Sequence, residues 1–268
     1  MDLGIAGRGA LVTGGSDGIG LAISQALAAE GARVAIAART QSHVEAAVAT
    51  LGGHGAGRSL DSARDDREHC GYTVDLTAED GPRRLLAACA EFGAIDILIH
   101  NLGGTLGVND PLAPVARWRD VFRLNLEVAI ELNDALVPAM TERGWGRIVS
   151  VLSLGAREHS GTIAYGTAKA ALGAYTRGLA RNVARHGVVV TAVSPGATLT
   201  ENGHWAQQQM TDPERVAAYL KAETVRGRFV EAREVAAVVA FLASEAASAC
   251  GGTFVGVDAG QGRSYEQP

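Results

Sequence analysis

The chain has 268 residues, 47% of them hydrophobic and 20% charged, with a formal net charge of −5 at pH 7. An apolar share of that size supports a large core and excludes a disordered chain. The acidic balance, unbroken by any basic run, argues against a nucleic-acid partner, and no apolar stretch reaches the ~20 residues of a bilayer span.

From the N-terminus, a short strand over 10–12 runs into Thr13-Gly14-Gly15-Ser16-Asp17-Gly18-Ile19-Gly20, and an alanine- and leucine-rich helix follows over 18–30. Gly14 and Gly18 permit a sharp turn and close approach to the backbone, and Gly20 lets the helix pack on the sheet. The free N–H groups and the helix dipole at such a turn favour a pyrophosphate, with Ser16, Asp17 and Ile19 beside it. A second strand over 33–37 leads to Ala38-Arg39 and a helix over 42–51. Residues 52–71, rich in glycine, arginine and aspartate, read as an elongated surface connection. Strands over 72–74 and 95–100 then alternate with helices over 79–92 and 115–136. Beyond these come a strand over 147–152, a helix over 163–185 and a strand over 188–193. A helix over 233–244 and a last strand over 253–257 complete the pattern. The strands are nearly continuous apolar runs, as parallel strands covered on both faces require. Their alternation with helices predicts one α/β domain over 1–268, a Rossmann-type doubly wound parallel sheet of seven strands.

Residues 199–229 follow the carboxyl end of a strand and carry a short candidate helix over 213–222, which makes them a candidate substrate lid. Trp205, Met210 and Tyr219 are available there either to contact a substrate or to pack the lid down. The start of the chain, 1–7, lacks the basic region of a secretory signal. Cys70, Cys89 and Cys250 form neither a disulfide framework nor a metal pattern, so a soluble cytoplasmic protein is expected.

Tyr165 and Lys169 stand at i and i+4, on one face of the helix over 163–185. A phenol titrates near pH 10, and a neighbouring ammonium draws that value down towards neutral pH. With the glycine turn, the pair suggests hydride exchange with a nicotinamide while a tyrosine handles the proton. The end of the second strand bears on cofactor choice. An acidic side chain there would hold both ribose hydroxyls of NAD(H), but Ala38 stands there and Arg39 follows, a guanidinium able to pair with a 2′-phosphate. That favours NADP(H). The charge of Asp17 in the glycine turn acts against a phosphate and keeps NAD(H) open.

Together, Thr-Gly-x-x-x-Gly-x-Gly at 13–20 and Tyr165-x-x-x-Lys169 resemble the short-chain dehydrogenase/reductase family, in particular its 3-oxoacyl-carrier-protein-reductase-like members. The likeness runs from about residue 10 to 260. It implies that Asp75 and Leu76 meet the adenine. It places Asn101-Leu102-Gly103-Gly104 in the family's Asn-x-Ala-Gly element, with Gly103 where alanine is usual. Pro195, Gly196 and Thr200 would border the nicotinamide, and Lys169 would hydrogen-bond its ribose. Asn125 would interrupt the hydrogen bonding of its helix and, by holding a water, complete a tetrad with Ser153, Tyr165 and Lys169. Ser153 matches the substrate-orienting serine at a spacing one position short of the usual; Ser150 is its rival. His100 reads as a packing residue, and Glu158 and His159 as either pocket lining or exposed surface.

The resemblance implies reversible carbonyl–alcohol interconversion on a small molecule, by a homotetramer or homodimer. A nucleotide-binding sensor without turnover, and a lyase or epimerase using the nucleotide transiently, are the alternatives.

Overall fold

A computed structural model describes residues 2–52, 69–158 and 162–264. His159 and most of the 52–71 connection lie outside the described residues.

Seven strands form one parallel sheet: β1 (Gly9–Thr13), β2 (Arg33–Ala38), β3 (Cys70–Thr73), β4 (Ile97–His100), β5 (Gly146–Val151), β6 (Val188–Pro195) and β9 (Phe254–Val257). Their order is β3-β2-β1-β4-β5-β6-β9. Successive residues alternate between the faces, as a pleated strand requires. Val12, Ile36, Ile99, Val149 and Val193 meet Ile23 and Leu27 of α1 (Gly18–Ala29), with Val235 and Val239 of the helix over Ala232–Leu242. The residues just before the first four, Leu11, Ala35, Leu98 and Ile148, and Val190 of β6 meet the opposite layer, including Leu85, Leu132, Met140 and Val183. Burial on both faces explains the unbroken apolar runs of the sequence.

The strand order reverses between β1 and β4, so the connections leaving their carboxyl ends part to opposite faces and open a crevice, the usual ligand position in such sheets. Register aligns Thr13 with His100, and His100 with Ser150, along that edge.

Helices α2 (Gln41–Leu51) and α3 (Gly81–Ala88) follow the pattern, the latter continuing as a tighter turn over Cys89–Phe92. The helix expected over 115–136 is instead two, α4 (Val115–Phe122) and α5 (Val128–Arg143), joined by a wider π-type turn at Arg123–Glu127. Helix α5 also runs past the expected end at 136 and through Pro138. The proline forfeits one intrahelical bond, but the fully buried Leu132 and Met140 hold the helix on both sides of it. Gly144, at φ 70°, then ends it. Helix α6 (Ile163–Val183) carries Tyr165 and Lys169. Residues 199–229 are more ordered than expected. They hold α7 (His204–Thr211) and α8 (Pro213–Glu223), and a two-stranded parallel ribbon, β7 (Thr198–Leu199) with β8 (Val230–Glu231), closes their base. Helix α9 (Ala232–Leu242) leads back to the sheet.

Candidate active site

The glycine turn leaves β1 with Gly14 at φ 63° and Gly18 at φ 54°, backbone that a side chain would strain. A Cβ on Gly20 would lie 2.1 Å from the Gly14 carbonyl oxygen and 2.5 Å from Asn101 Nδ2, so the helix approaches the turn too closely for any side chain. Asn101, just beyond β4, locks this arrangement: its Nδ2 donates to the carbonyls of Thr13 (3.3 Å) and Gly14 (3.0 Å). Thr13 answers with its hydroxyl, which donates to Ile99 O at 3.1 Å and accepts from the Asn101 amide at 3.1 Å. Thr13 is thus a site residue that the sequence reading quoted without assigning a role. The helix's own ladder begins with Leu21 N on Asp17 O, and the Gly18 amide is taken by the Asp17 carboxylate at 2.6 Å. The amides of Ile19 and Gly20 stand ahead of that ladder, at the positive end of a 12-residue helix.

Lys169 is 1% exposed, and its ammonium donates to Val151 O at 2.8 Å and Leu102 O at 3.2 Å. Burial drives its pKa from 10.5 down to about 7. Its Nζ lies 5.8 Å from the Tyr165 ring centroid. The expected depression of the Tyr165 phenol by this ammonium is overturned. Burial raises the phenol above its ordinary value, and a hydrogen bond with Ser153 opposes that only in part. A lysine that itself sheds charge on burial is a weak source of phenolate stabilisation.

Ser153 lies just past the end of β5, where its Oγ also accepts from the Gly155 amide at 3.1 Å. Ser150, its rival, sits inside the strand, 1% exposed and bonded to Thr176 Oγ1 at 3.0 Å. The structure therefore brings Ser153, not Ser150, to Tyr165. Asn125 occupies the π-type turn and clamps Gly104 on both sides: Oδ1 accepts from Gly104 N at 3.1 Å and Nδ2 donates to Gly104 O at 2.9 Å. The same Nδ2 reaches Val121 O at 2.8 Å. Gly103 lies where both side chains converge, since a Cβ there would fall 2.7 Å from Lys169 Nζ and 2.9 Å from Asn125 Oδ1. His100 is buried, its Nε2 donating to Asn133 Oδ1 at 3.0 Å, and burial lowers its pKa to about 4. It is a neutral packing residue.

At the far side of the crevice, Asp75 is exposed and accepts from Thr77 N (2.9 Å) and Thr77 Oγ1 (2.6 Å). These bonds, aided by the Arg39 guanidinium, hold its carboxyl below the usual range. Leu76 is buried beside it, and Arg39 is exposed at the end of β2. Pro195 ends β6 and Gly196 follows it, and Thr200 packs on the glycine turn: a Cβ on Gly18 would meet its Cγ2 at 3.2 Å. Asp17 Oδ2 accepts from Asn202 at 3.1 Å, so this carboxylate fastens the base of the 199–229 segment, the candidate lid. Trp205 stacks on Tyr219 (4.3 Å between centroids) and Phe229 (5.0 Å), packing the lid on itself, while Met210 is 78% exposed. Glu158 lines a cavity of ≈ 300 Å³ with Arg157 and Thr162. Gln261, which no sequence motif marked, bonds the lid to the backbone beyond Gly196. No group of three or more metal-ligating side chains occurs among the described residues, and none of their helices is long and apolar enough to cross a membrane.

Residues 8–211 match the profile of the short chain dehydrogenase family. The chain is 34% identical over 255 residues to a 3-oxoacyl-[acyl-carrier-protein] reductase of Escherichia coli, covering 95% of this chain and 97% of that one. Among solved structures it resembles a 3-oxoacyl (acyl-carrier-protein) reductase of Agrobacterium tumefaciens with NADP bound. That match has a TM-score of 0.87 at 27% identity and covers 97% and 96% of the two chains. It also resembles an L-sorbose reductase of Gluconobacter frateurii complexed with NADPH and L-sorbose, with a TM-score of 0.86 at 28% identity over 98% and 100%.

Proposed function

The chain belongs to the short chain dehydrogenase family, and from that premise we propose that it interconverts a carbonyl and a secondary alcohol with NADP(H), Tyr165 giving and taking the proton. The observation that carries this reading is the meeting of Tyr165 with Ser153 over a buried Lys169, at the crevice edge beside the glycine turn.

The residues fit a dinucleotide. Gly14 and Gly18 take the left-handed turn, and the amides of Ile19 and Gly20 precede the helix ladder, a donor set suited to a pyrophosphate. Arg39 supports a 2′-phosphate, as do the relatives solved with NADP and NADPH. Asp75, Leu76, Asn101, Gly103, Pro195, Gly196 and Thr200 would line the remainder. When bound, the nicotinamide supplies the hydride.

The chain's own residues manage the oxygen. Ser153 and Tyr165 hydrogen-bond the substrate oxygen and stabilise the charge that develops there. Burial keeps the Tyr165 phenol protonated at neutral pH, the form a proton donor to a nascent alkoxide needs. Lys169, with a pKa of about 7, is suited to return that proton. Asn125 holds the Gly103–Gly104 backbone against the lysine's end. The protein would act as a homodimer or homotetramer, which light scattering on the purified chain reads directly.

The test is NADPH consumption by the purified protein against ketones and 3-oxoacyl thioesters, with NADH and Tyr165→Phe alongside. Turnover that prefers NADPH and falls by about 10²- to 10⁴-fold in the variant is expected. Turnover that survives the substitution would remove Tyr165 from the chemistry.

A further inference from the structure

We propose that Gln261 is the positioning residue of the lid, a buried amide that seats helix α8 on the backbone at the carboxyl edge of the sheet. Its reach into the reaction rests on the reading above; its mechanical role does not.

Gln261 is 8% exposed and uses both ends of its amide: Oε1 accepts from Ala197 N at 2.9 Å, and Nε2 donates to the Tyr219 hydroxyl at 2.7 Å. One end therefore holds the segment leaving β6, and the other holds α8. A primary amide supplies an acceptor and a donor side by side without a charge. Gly196 makes room for it, since a Cβ there would lie 2.7 Å from Oε1.

The segment that presents Gln261 is built for the purpose. Ala259 (φ 54°) and Gly260 (φ 83°) are consecutive left-handed residues, and the alanine bears a steric cost. Asp258 sustains the turn by accepting from Gly260 N at 3.0 Å and Gly262 N at 3.2 Å, while Gln261 N bonds Asp258 O at 3.0 Å. A second tie is weaker. Arg263 donates from its side chain to Glu223 of α8 at 3.0 Å and from its backbone to Glu158 at 2.9 Å, but the ion pair is exposed and adds little. Because Tyr219 stacks on Trp205, the Gln261 amide fixes the whole aromatic stack of the lid. A role in shaping the core alone would not need the bond to Tyr219.

The test compares Gln261→Met, which keeps the volume and loses both bonds, with Tyr219→Phe, which loses only the α8 end and keeps the ring. Amide hydrogen exchange of α8 in the cofactor-free protein is expected to quicken about tenfold in both variants, the effect of one buried hydrogen bond. The KM of any substrate turned over is expected to rise severalfold, with kcat and the Kd for NADPH within twofold of wild type. Wild-type exchange of α8 in Tyr219→Phe would overturn the proposal whatever the turnover assay shows. Absence of turnover with faster exchange would leave the strap standing and count against the reductase reading instead. Should Gln261→Met not fold, Tyr219→Phe decides alone.

Discussion

The glycine turn and the candidate lid touch, through Asn202 on Asp17 and Thr200 on Gly18, yet they are held by opposite means. The turn is close-packed backbone, where glycine leaves no room and the Asn101 and Thr13 side chains tie it to two rigid strands. The lid is side chain on side chain, an aromatic stack and a few hydrogen bonds to residues far away in the chain. A single added carbon should therefore break the turn, whereas the lid should yield by degrees.

Gly20→Ala is the severest test of that contrast. Its Cβ would enter the Gly14 carbonyl at 2.1 Å, a backbone clash that moving the Asn101 side chain, 2.5 Å away, would not relieve. A loss of about 3 kcal/mol of stability is expected, as for other overpacked sites, together with at least a hundredfold loss of NADPH affinity. Thermal unfolding and a direct titration read the two effects. Near-wild-type affinity would mean that the turn is not the cradle.

That contrast also marks what was legible. Gly14, Gly18 and Gly20 announce themselves because the backbone there admits no side chain, Tyr165 and Lys169 because positions i and i+4 share a helix face, and the five inner strands because both their faces are buried. The lid's ribbon and α7 carry no such period. Its contacts join positions as distant as Asp17 and Asn202, or Tyr219 and Gln261, which no local window connects. The break at Asn125 was legible only through the family likeness, because a π-type turn adds a residue to a helix turn without altering the helical character of the sequence. Spacing placed Tyr165 beside Lys169 correctly but gave the wrong sign for the phenol, since burial depends on the rest of the fold.

Between the two extremes lies the buried lysine. Lys169 titrates near 10.5 when exposed and at about 7 in the fold. Between those values the unfolded chain binds one proton more than the native one, so stability rises with pH across that window. Below about pH 7 both states are protonated and the full cost of burying the ammonium is present. Lys169→Met lacks this dependence. The stability of wild type relative to the variant should therefore grow between pH 7 and 9, by at most about 1.4 kcal/mol per pH unit. A difference independent of pH would show that the ammonium is not desolvated in the native state. A companion measurement follows Tyr165 by ultraviolet titration of the cofactor-free protein. The tyrosinate signal that is missing in Tyr165→Phe should emerge only above the ordinary phenol range.

The smallest effects belong to the seam where the two regions meet. Asp17 places a carboxylate on the first amide of α1, at the end of the helix where an anionic cofactor would lie. Asp17→Asn keeps an acceptor for the Gly18 amide and removes the charge, so the Kd for NADPH should fall about twofold to tenfold, the scale of one charge at a helix end. Asn202→Ala frees the base of the lid and leaves that charge in place, so it should change the same Kd by less than about twofold, the weight of one exposed hydrogen bond. If the two substitutions instead weakened NADPH binding equally, Asp17 would matter to the cofactor only through the lid. The turn and the lid would then be one device, with the hydrogen bond between Asp17 and Asn202 as its working part.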